Sequence, residues 1–382
     1  MIIKCTNCDG ALIYDVHSKK MKCKYCNSLF EISKEYNAKN NEESLECNVF
    51  SCTTCGAELS VNGVETSTFC AYCGQPTIIF DRVSKMKKPD KIIPFEVTKE
   101  EAIDLIKKRF SKGFFIPSEI KNFEVERMNG IYIPYWLFDV SYYDNQILRG
   151  KSGKYYHNYY REAEAEFTNM TVDASANMND ESSQRLEPFY TNELYDFREE
   201  YLSGFYADAY DVRKDDLSRL AVSRCASLFD KEMISSVNAS EVEITNSSPK
   251  VKVNGNRYAM LPAWFMTIRY DNKPYTMLVN GQTGKTVGAV PINKKKVLLT
   301  FLSIMAVLTP IAIMVSIAMF NGLEYSTEPF EDFISLIFGF GVVIVGTIAY
   351  GLSCKDKLEK HISHTSAKEM YDFSKDRQKG DA

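Results

Sequence analysis

Histidine is scarce in this 382-residue chain, with only His17, His157, His361 and His364. That leaves little material for histidine-based metal or acid–base chemistry. His361 and His364 form a His-x-x-His on a charged tail, where a solvated surface explains them better than a metal pair. His157 lies inside Tyr155-Tyr156-His157-Asn158-Tyr159-Tyr160, most simply an aromatic sheet face. A basic balance is missing too: the net charge is −4, and residues 1–80 hold seven Lys and no Arg against nine Asp plus Glu. A module that grips a phosphate backbone should be basic instead. No apolar run follows Met1-Ile2-Ile3-Lys4, so no signal peptide is expected at the front end. No nucleophile–base arrangement, paired-carboxylate signature or cofactor loop stands out, and nothing in the pattern recommends an enzyme. Gly281-Gln282-Thr283-Gly284-Lys285-Thr286 ends like a phosphate-binding loop. Val279 occupies the place of its first glycine, however, and strand-like residues follow, so it reads as a hairpin turn.

Cysteine, by contrast, is plentiful and patterned. Cys5-x-x-Cys8 is followed after 14 residues by Cys23-x-x-Cys26, and Cys52-x-x-Cys55 after another 14 by Cys70-x-x-Cys73. A shift of 47 residues superposes all eight, together with Thr6 on Thr53, Leu12 on Leu59 and Tyr25 on Tyr72. This is an internal duplication. Four thiolates suit a tetrahedral zinc ion, and each intervening stretch fits a β-hairpin that returns the second pair to the first. Asn27, Gly56 and Gly74 follow the second cysteine of three pairs, and Asp9-Gly10 that of the fourth, as a turn with positive φ requires. Disulfides or a redox pair are the rival readings, disfavoured by the doubled spacing and the lack of a βαβ pattern. Two closed, structural zinc ions are therefore expected, one on Cys5, Cys8, Cys23 and Cys26 and the other on Cys52, Cys55, Cys70 and Cys73. Cys47, Cys225 and Cys354 fit no disulfide framework, which points to a reducing compartment.

The expected organisation is multidomain. Residues 1–32 form zinc ribbon one, 33–49 a polar linker, 50–80 zinc ribbon two and 81–91 a basic linker. Residues 92–293 form an α+β domain with a mainly antiparallel sheet. Within it, Thr98-Lys99-Glu100-Glu101 reads as a capping box for a helix with Ala102, Ile103, Ile106 and Phe110 on one face, closed by Gly113. Gly130–Val140 reads as an apolar strand, and residues 215–237 as a helix bearing Leu217, Leu220, Ala221, Leu228 and Phe229. Strands are expected over 257–270, 275–279 and 286–290, turning at Asp271–Pro274 and Asn280-Gly281.

Two uncharged segments, 297–320 and 333–353, are each long enough to cross a hydrocarbon core of about 30 Å as helices. Lys294–Lys296 and Lys355, Lys357 and Lys360 flank them, and the loop 321–332 between them carries only acidic charge. A two-helix transmembrane hairpin is thus expected, with both termini cytoplasmic and residues 354–382 a cytoplasmic tail at the cell membrane. The lipid bilayer would then be one partner.

These residues together resemble a known group. The ribbons are similar to the transcription-factor-IIB-type zinc ribbon. The whole chain resembles the membrane-anchored tandem-ribbon proteins of Gram-positive bacteria, the YdjG type. The ribbons carry the resemblance, with Gly130–Asp139, Leu261-Pro262-Ala263-Trp264-Phe265-Met266, and Tyr275 to Gly288. It implies a non-enzymatic membrane protein that works with protein partners, in some members near PspA-like and SPFH-like membrane-stress proteins. The expected function is a zinc-ribbon adaptor that scaffolds protein partners at the cytoplasmic face of the membrane. The alternative is a membrane-tethered nucleic-acid-binding or transcriptional regulatory protein using Lys19, Lys20, Lys22 and Lys24. For the adaptor, the exposed hairpin residues Tyr14, Val16, Val61 and Val64 are the expected working surface.

Overall fold

Alternating and apolar residues run almost unbroken from 128 to 173, and in the computed structural model they make one long hairpin around which the body is built. The structure describes residues 3–32, 44–52, 57–61, 70, 80–111, 115–121, 128–175, 178, 180–270, 273–288, 293, 295–303, 306, 310 and 314.

The first strands are β1 (Leu12–Asp15), β2 (Lys20–Cys23) and β3 (Leu29–Phe30), a small antiparallel sheet of their own. Next come β4 (Ser44–Ser51), β5 (Glu58–Val61), β6 (Phe80–Lys87) and β7 (Lys91–Ile92). Helices α1 (Lys99–Ser111) and α2 (Ser118–Lys121) precede the hairpin of β8 (Met128–Ser152) and β9 (Tyr155–Asp173). Then follow α3 (Asp180–Leu186), β10 (Tyr195–Asp196), β11 (Tyr206–Asp208) and α4 (Lys214–Ser235). The described part closes with β12 (Ser240–Ser247), β13 (Lys250–Tyr270), β14 (Lys273–Asn280) and β15 (Thr286–Gly288).

Among the described residues, β4 to β15 belong to one twelve-stranded sheet. β8 is its spine: β9 pairs with it antiparallel on one side, and β12 and β13 pair with it antiparallel as well. The sheet separates two cores. Tyr132, Trp136, Phe138 and Tyr142 face one, which takes in Ala102, Ile106 and Phe110 of α1 and Leu217, Ala221, Cys225 and Phe229 of α4. Ile131, Ile133, Tyr135 and Leu137 face the other, with Leu261, Phe265, Leu278, Met178 and Leu186. Burial on both faces explains why this part of β8 reads as a continuous apolar run, whereas its later half alternates. The register slips where Asp139 sits. Its carboxylate accepts from Arg257 Nη2 at 2.7 and 2.9 Å and from the Asn169 N–H at 2.9 Å, and Asn169 has φ 55°.

Local expectations in this body hold. Thr98 Oγ1 accepts from the Glu101 N–H at 3.2 Å, and Glu101 Oε2 accepts from the Thr98 N–H at 2.8 Å, the reciprocal capping box. α4 buries Leu217, Ala221 and Phe229 as expected, but Leu228 is exposed. The Gly281–Thr286 stretch is a turn into β15, organised by buried Asn280. Its Oδ1 accepts from the N–H groups of Gln282 and Thr283 at 2.9 and 3.0 Å. Gly113 and residues 271–272 lie outside the described residues.

The fold class needs correction. The described chain is mostly β-sheet with few helices, not two free ribbons beside an α+β domain and a helical hairpin. Strands of the second ribbon enter the large sheet, because β5 pairs antiparallel with β11, which pairs in parallel with β8. Both expected linkers contain strand, since β4 pairs with β6 from Ser44↔Lys87 to Ser51↔Phe80. The expected two-span membrane arrangement is not supported by the described residues either. No helix among the described residues is long and apolar enough to cross a membrane. α4, with 22 residues, is long enough in span but carries Lys214, Asp215, Asp216, Arg219, Arg224, Asp230, Lys231 and Glu232, too many charges for a hydrocarbon core. Residues 295–303 are helical, and the rest of 297–320 is described only at 306, 310 and 314. The loop 321–332, the second expected span 333–353 and the tail 354–382 lie outside the described residues.

Candidate metal centre

Two tight turns build the centre. In the first, the Cys5 N–H donates to the Gly10 carbonyl at 2.7 Å and the Asp9 N–H to the Cys5 carbonyl at 2.8 Å. In the second, the Cys23 N–H donates to the Ser28 carbonyl at 3.0 Å and the Asn27 N–H to the Cys23 carbonyl at 3.1 Å. Both turns need a left-handed residue after the second cysteine, and Asp9 and Asn27 supply it with φ 60° and 58°. Gly10 is required for a different reason. A Cβ there would come within 2.5 Å of the Tyr25 ring and within 3.3 Å of the Cys8 and Cys23 sulfurs. The pairing of β1 with β2, Leu12↔Cys23 through Asp15↔Lys20, carries one turn to the other.

The result is a group of four sulfurs, Cys5, Cys8, Cys23 and Cys26, all within 4.8 Å of one another. Cys5 and Cys26 Sγ are 3.6 Å apart, and Cys8 and Cys23 Sγ 3.4 Å. Thiolates about 2.3 Å from one ion at tetrahedral corners would lie about 3.8 Å apart, so the set fits a four-coordinate metal. This group can hold a metal ion. Cys5 and Cys23 are buried, while Cys8 and Cys26 reach the surface.

The neighbouring dipoles favour thiolate. The Asn7 N–H approaches Cys5 Sγ at 3.4 Å. The Ser28 hydroxyl, 3.2 Å from Cys26 Sγ, and then the Ser28 backbone hold the Cys26 thiol down to about 6. The Cys26 backbone N–H likewise lowers Cys23 against the opposing effect of burial. At Cys8 the Gly10 backbone pulls down, but the crowded Cys23 and Cys26 sulfurs outweigh it and push the thiol up to about 12. Four thiols this close cannot all ionise unaided, and a divalent cation removes that conflict.

Ser28 and Asn7 are the functional residues that cysteine spacing does not reveal. Asn7 Nδ2 donates to Ser28 Oγ at 2.9 Å, tying the two turns together. Ser28→Ala is expected to weaken metal affinity by roughly 10-fold while leaving four ligands in place, as loss of an outer-shell partner does. Competition with a chromogenic chelator reads this directly.

For the second copy, Cys52 and Cys70 are buried, beside Ala57 and Leu59. The Cys52 N–H donates to the Ala57 carbonyl at 2.8 Å, the bond of Cys5 to Gly10 displaced along the duplication. Cys55 and Cys73 lie outside the described residues.

The first ribbon does not stand free. Tyr14 is 4% exposed and meets the Tyr201 ring at 5.3 Å, edge to face, and its N–H donates to the Ser203 carbonyl at 3.0 Å. Val16 is half-buried against the same core. Val61 pairs by its backbone with Asn48 and Tyr206, and Val64 lies outside the described residues. Tyr14 and Val16, expected to meet a partner, are thus engaged within the chain. On the basic edge, Lys19 pairs with Glu96 at 3.1 Å and Lys20 with Glu31 at 2.5 Å.

A paired-turn cysteine group on a three-stranded ribbon is the arrangement of a zinc-ribbon-like protein. The chain is 30% identical over 234 residues, 58% of its length and 69% of the relative's, to the uncharacterized protein YdjG of Bacillus subtilis (strain 168). It belongs to the family of that protein. No family model matches the chain, and no solved structure does.

Proposed function

We propose that the chain is a non-enzymatic zinc-ribbon adaptor that scaffolds protein partners, with one structural zinc ion in each cysteine set. The observation that carries this reading is the closed all-sulfur group of Cys5, Cys8, Cys23 and Cys26. An all-cysteine tetrahedral set suits zinc and offers a substrate no open position, so its role is to fold the ribbon. The duplicated spacing and the matching Cys52–Ala57 bond support a second ion on Cys52, Cys55, Cys70 and Cys73.

With Tyr14 used internally, the apolar surface the ribbon offers is Tyr25, 78% exposed, and Leu29, 51% exposed. PspA-like and SPFH-like proteins, near which some similar tandem-ribbon proteins work, are the first partners to test. The pairing of Lys19 and Lys20 within the chain weighs against nucleic acid. Elemental analysis of the full chain should find two zinc ions per molecule. Replacing Tyr25 and Leu29 together by Ser should keep that metal content and reduce partner recovery in pull-downs at least 10-fold. Unchanged recovery, or salt-sensitive DNA binding through Lys22 and Lys24, would refute the adaptor reading.

A further inference from the structure

Trp136 is the one described indole without a hydrogen-bond acceptor. The residue is 4% exposed, and its Nε1 is buried with no partner among the described residues. Trp264, by contrast, donates to the Val97 carbonyl at 2.8 Å. Buried indole N–H groups ordinarily find a partner.

What surrounds Trp136 is cationic. Lys87 Nζ lies 4.9 Å and Lys214 Nζ 5.8 Å from the ring centroid, while Tyr258 and Tyr210 wall the ring at 5.7 and 6.0 Å. Lys214 is the first residue of α4, so the positive end of a 22-residue helix adjoins the same corner. Arg213, at the cap position, makes no side-chain capping bond there. Asp216 pairs with Arg213 and Arg219, Asp208 accepts from Ser175 and Asp90 from the Tyr258 N–H, while Asp215 shares the first turn of α4.

We propose that this corner binds an oxyanion of the phosphate class, free or carried as a monoester. An anionic oxygen would accept from Trp136 Nε1, neutralise Lys87 and Lys214, and lie at the α4 N-terminus, where negative charge is favoured. Lys87 and Lys214 are both exposed to solvent.

The test uses the full chain. In a Trp264→Phe background Trp136 is the sole indole, since the chain has two Trp. Inorganic phosphate and phosphoserine are titrated separately against its fluorescence, and calorimetry on the unaltered chain repeats both titrations. A saturable response to at least one of them, weakening with salt, is expected. A response to phosphate alone assigns a free anion, and a response to phosphoserine assigns a monoester. Lys87→Ala and Lys214→Ala should each weaken binding about 10-fold, with metal content and thermal midpoint unchanged. Trp136→Phe should weaken it in calorimetry. No saturable response to either anion, or equal affinity in the double-lysine variant, would overturn the assignment.

Discussion

Cys23→Ser is expected to strip the metal from the first ribbon and to unfold residues 5–30, lowering the zinc content by one ion per chain. Cys23 is a buried member of the four-sulfur group at the end of β2, so its loss removes both a corner of that group and the register of β1 against β2. Apparent binding energies of structural zinc sites are about 10–16 kcal/mol near neutral pH, and a ribbon this small has little else to replace them. The damage should extend beyond the ribbon. Tyr14 packs on Tyr201 and bonds Ser203, so unfolding the hairpin uncovers the Tyr201 ring on the body. Limited proteolysis should therefore cut the variant within both 5–30 and 195–205, where the parent chain resists. Cys225→Ser, which alters a buried thiol outside the cysteine group, should leave the metal in place. If Cys23→Ser retained full metal content, the four-sulfur assignment would be wrong.

Acid should act on the same site in a defined direction. Cys26, held down to about 6, and Cys23 are lowered from the ordinary thiol range, so their thiolate-dependent stability is complete above that range and is lost as pH falls through their folded values. Bound metal lowers those values further and shifts the loss to more acid conditions.

Legibility from the sequence followed the range of each interaction. The cysteine turns are local, and Asp9 and Asn27 adopt the positive φ that their places demand. The Thr98–Glu101 box, the core face of α1 and the apolar run of β8 are local as well. What periodicity could not convey is which edges meet. β5 joins the body through a three-residue strand, Tyr206–Asp208, too short to carry a pattern. Tyr14 reads as an exposed hairpin residue because nothing nearby in sequence announces Tyr201. Residues 81–91 read as a basic linker from their lysines, but backbone pairing with β4, which side-chain charge does not report, makes most of them strand. Segments 297–320 and 333–353 suggest a bilayer by their own apolarity, but the second and most of the first lie outside the described residues.

Phe95→Ala should be the most damaging change outside the metal centre, costing about 3–5 kcal/mol, a large share of the roughly 5–15 kcal/mol of a typical folded chain. Phe95 is fully buried and stacks on Phe205 at 4.2 Å, with Trp264 at 4.9 Å and Tyr132 edge-on at 5.1 Å. Two glycines make room for this cluster. A Cβ at Gly281 would lie 2.7 Å from the Phe95 ring, and one at Gly130 would lie 2.5 Å from the Phe205 ring. Truncation to Ala leaves a cavity that rings fixed on β8 and β13 cannot collapse to fill. The residues that follow join three parts of the molecule. The Glu96 and Val97 N–H groups donate to the Gly281 carbonyl at 2.8 Å, Val97 accepts from Trp264, and Glu96 pairs with Lys19 of the ribbon. The Lys19–Glu96 pair is largely exposed and should add less than about 1 kcal/mol, so the rings dominate. Unlike Cys23→Ser, Phe95→Ala should keep its metal, because the cysteine turns are closed by their own backbone bonds. Denaturant titration together with metal analysis separates the two outcomes. A midpoint shift equivalent to less than about 1 kcal/mol would show that Phe95 is not the keystone of this junction, and Phe95→Leu, which refills most of the volume, should recover most of the loss.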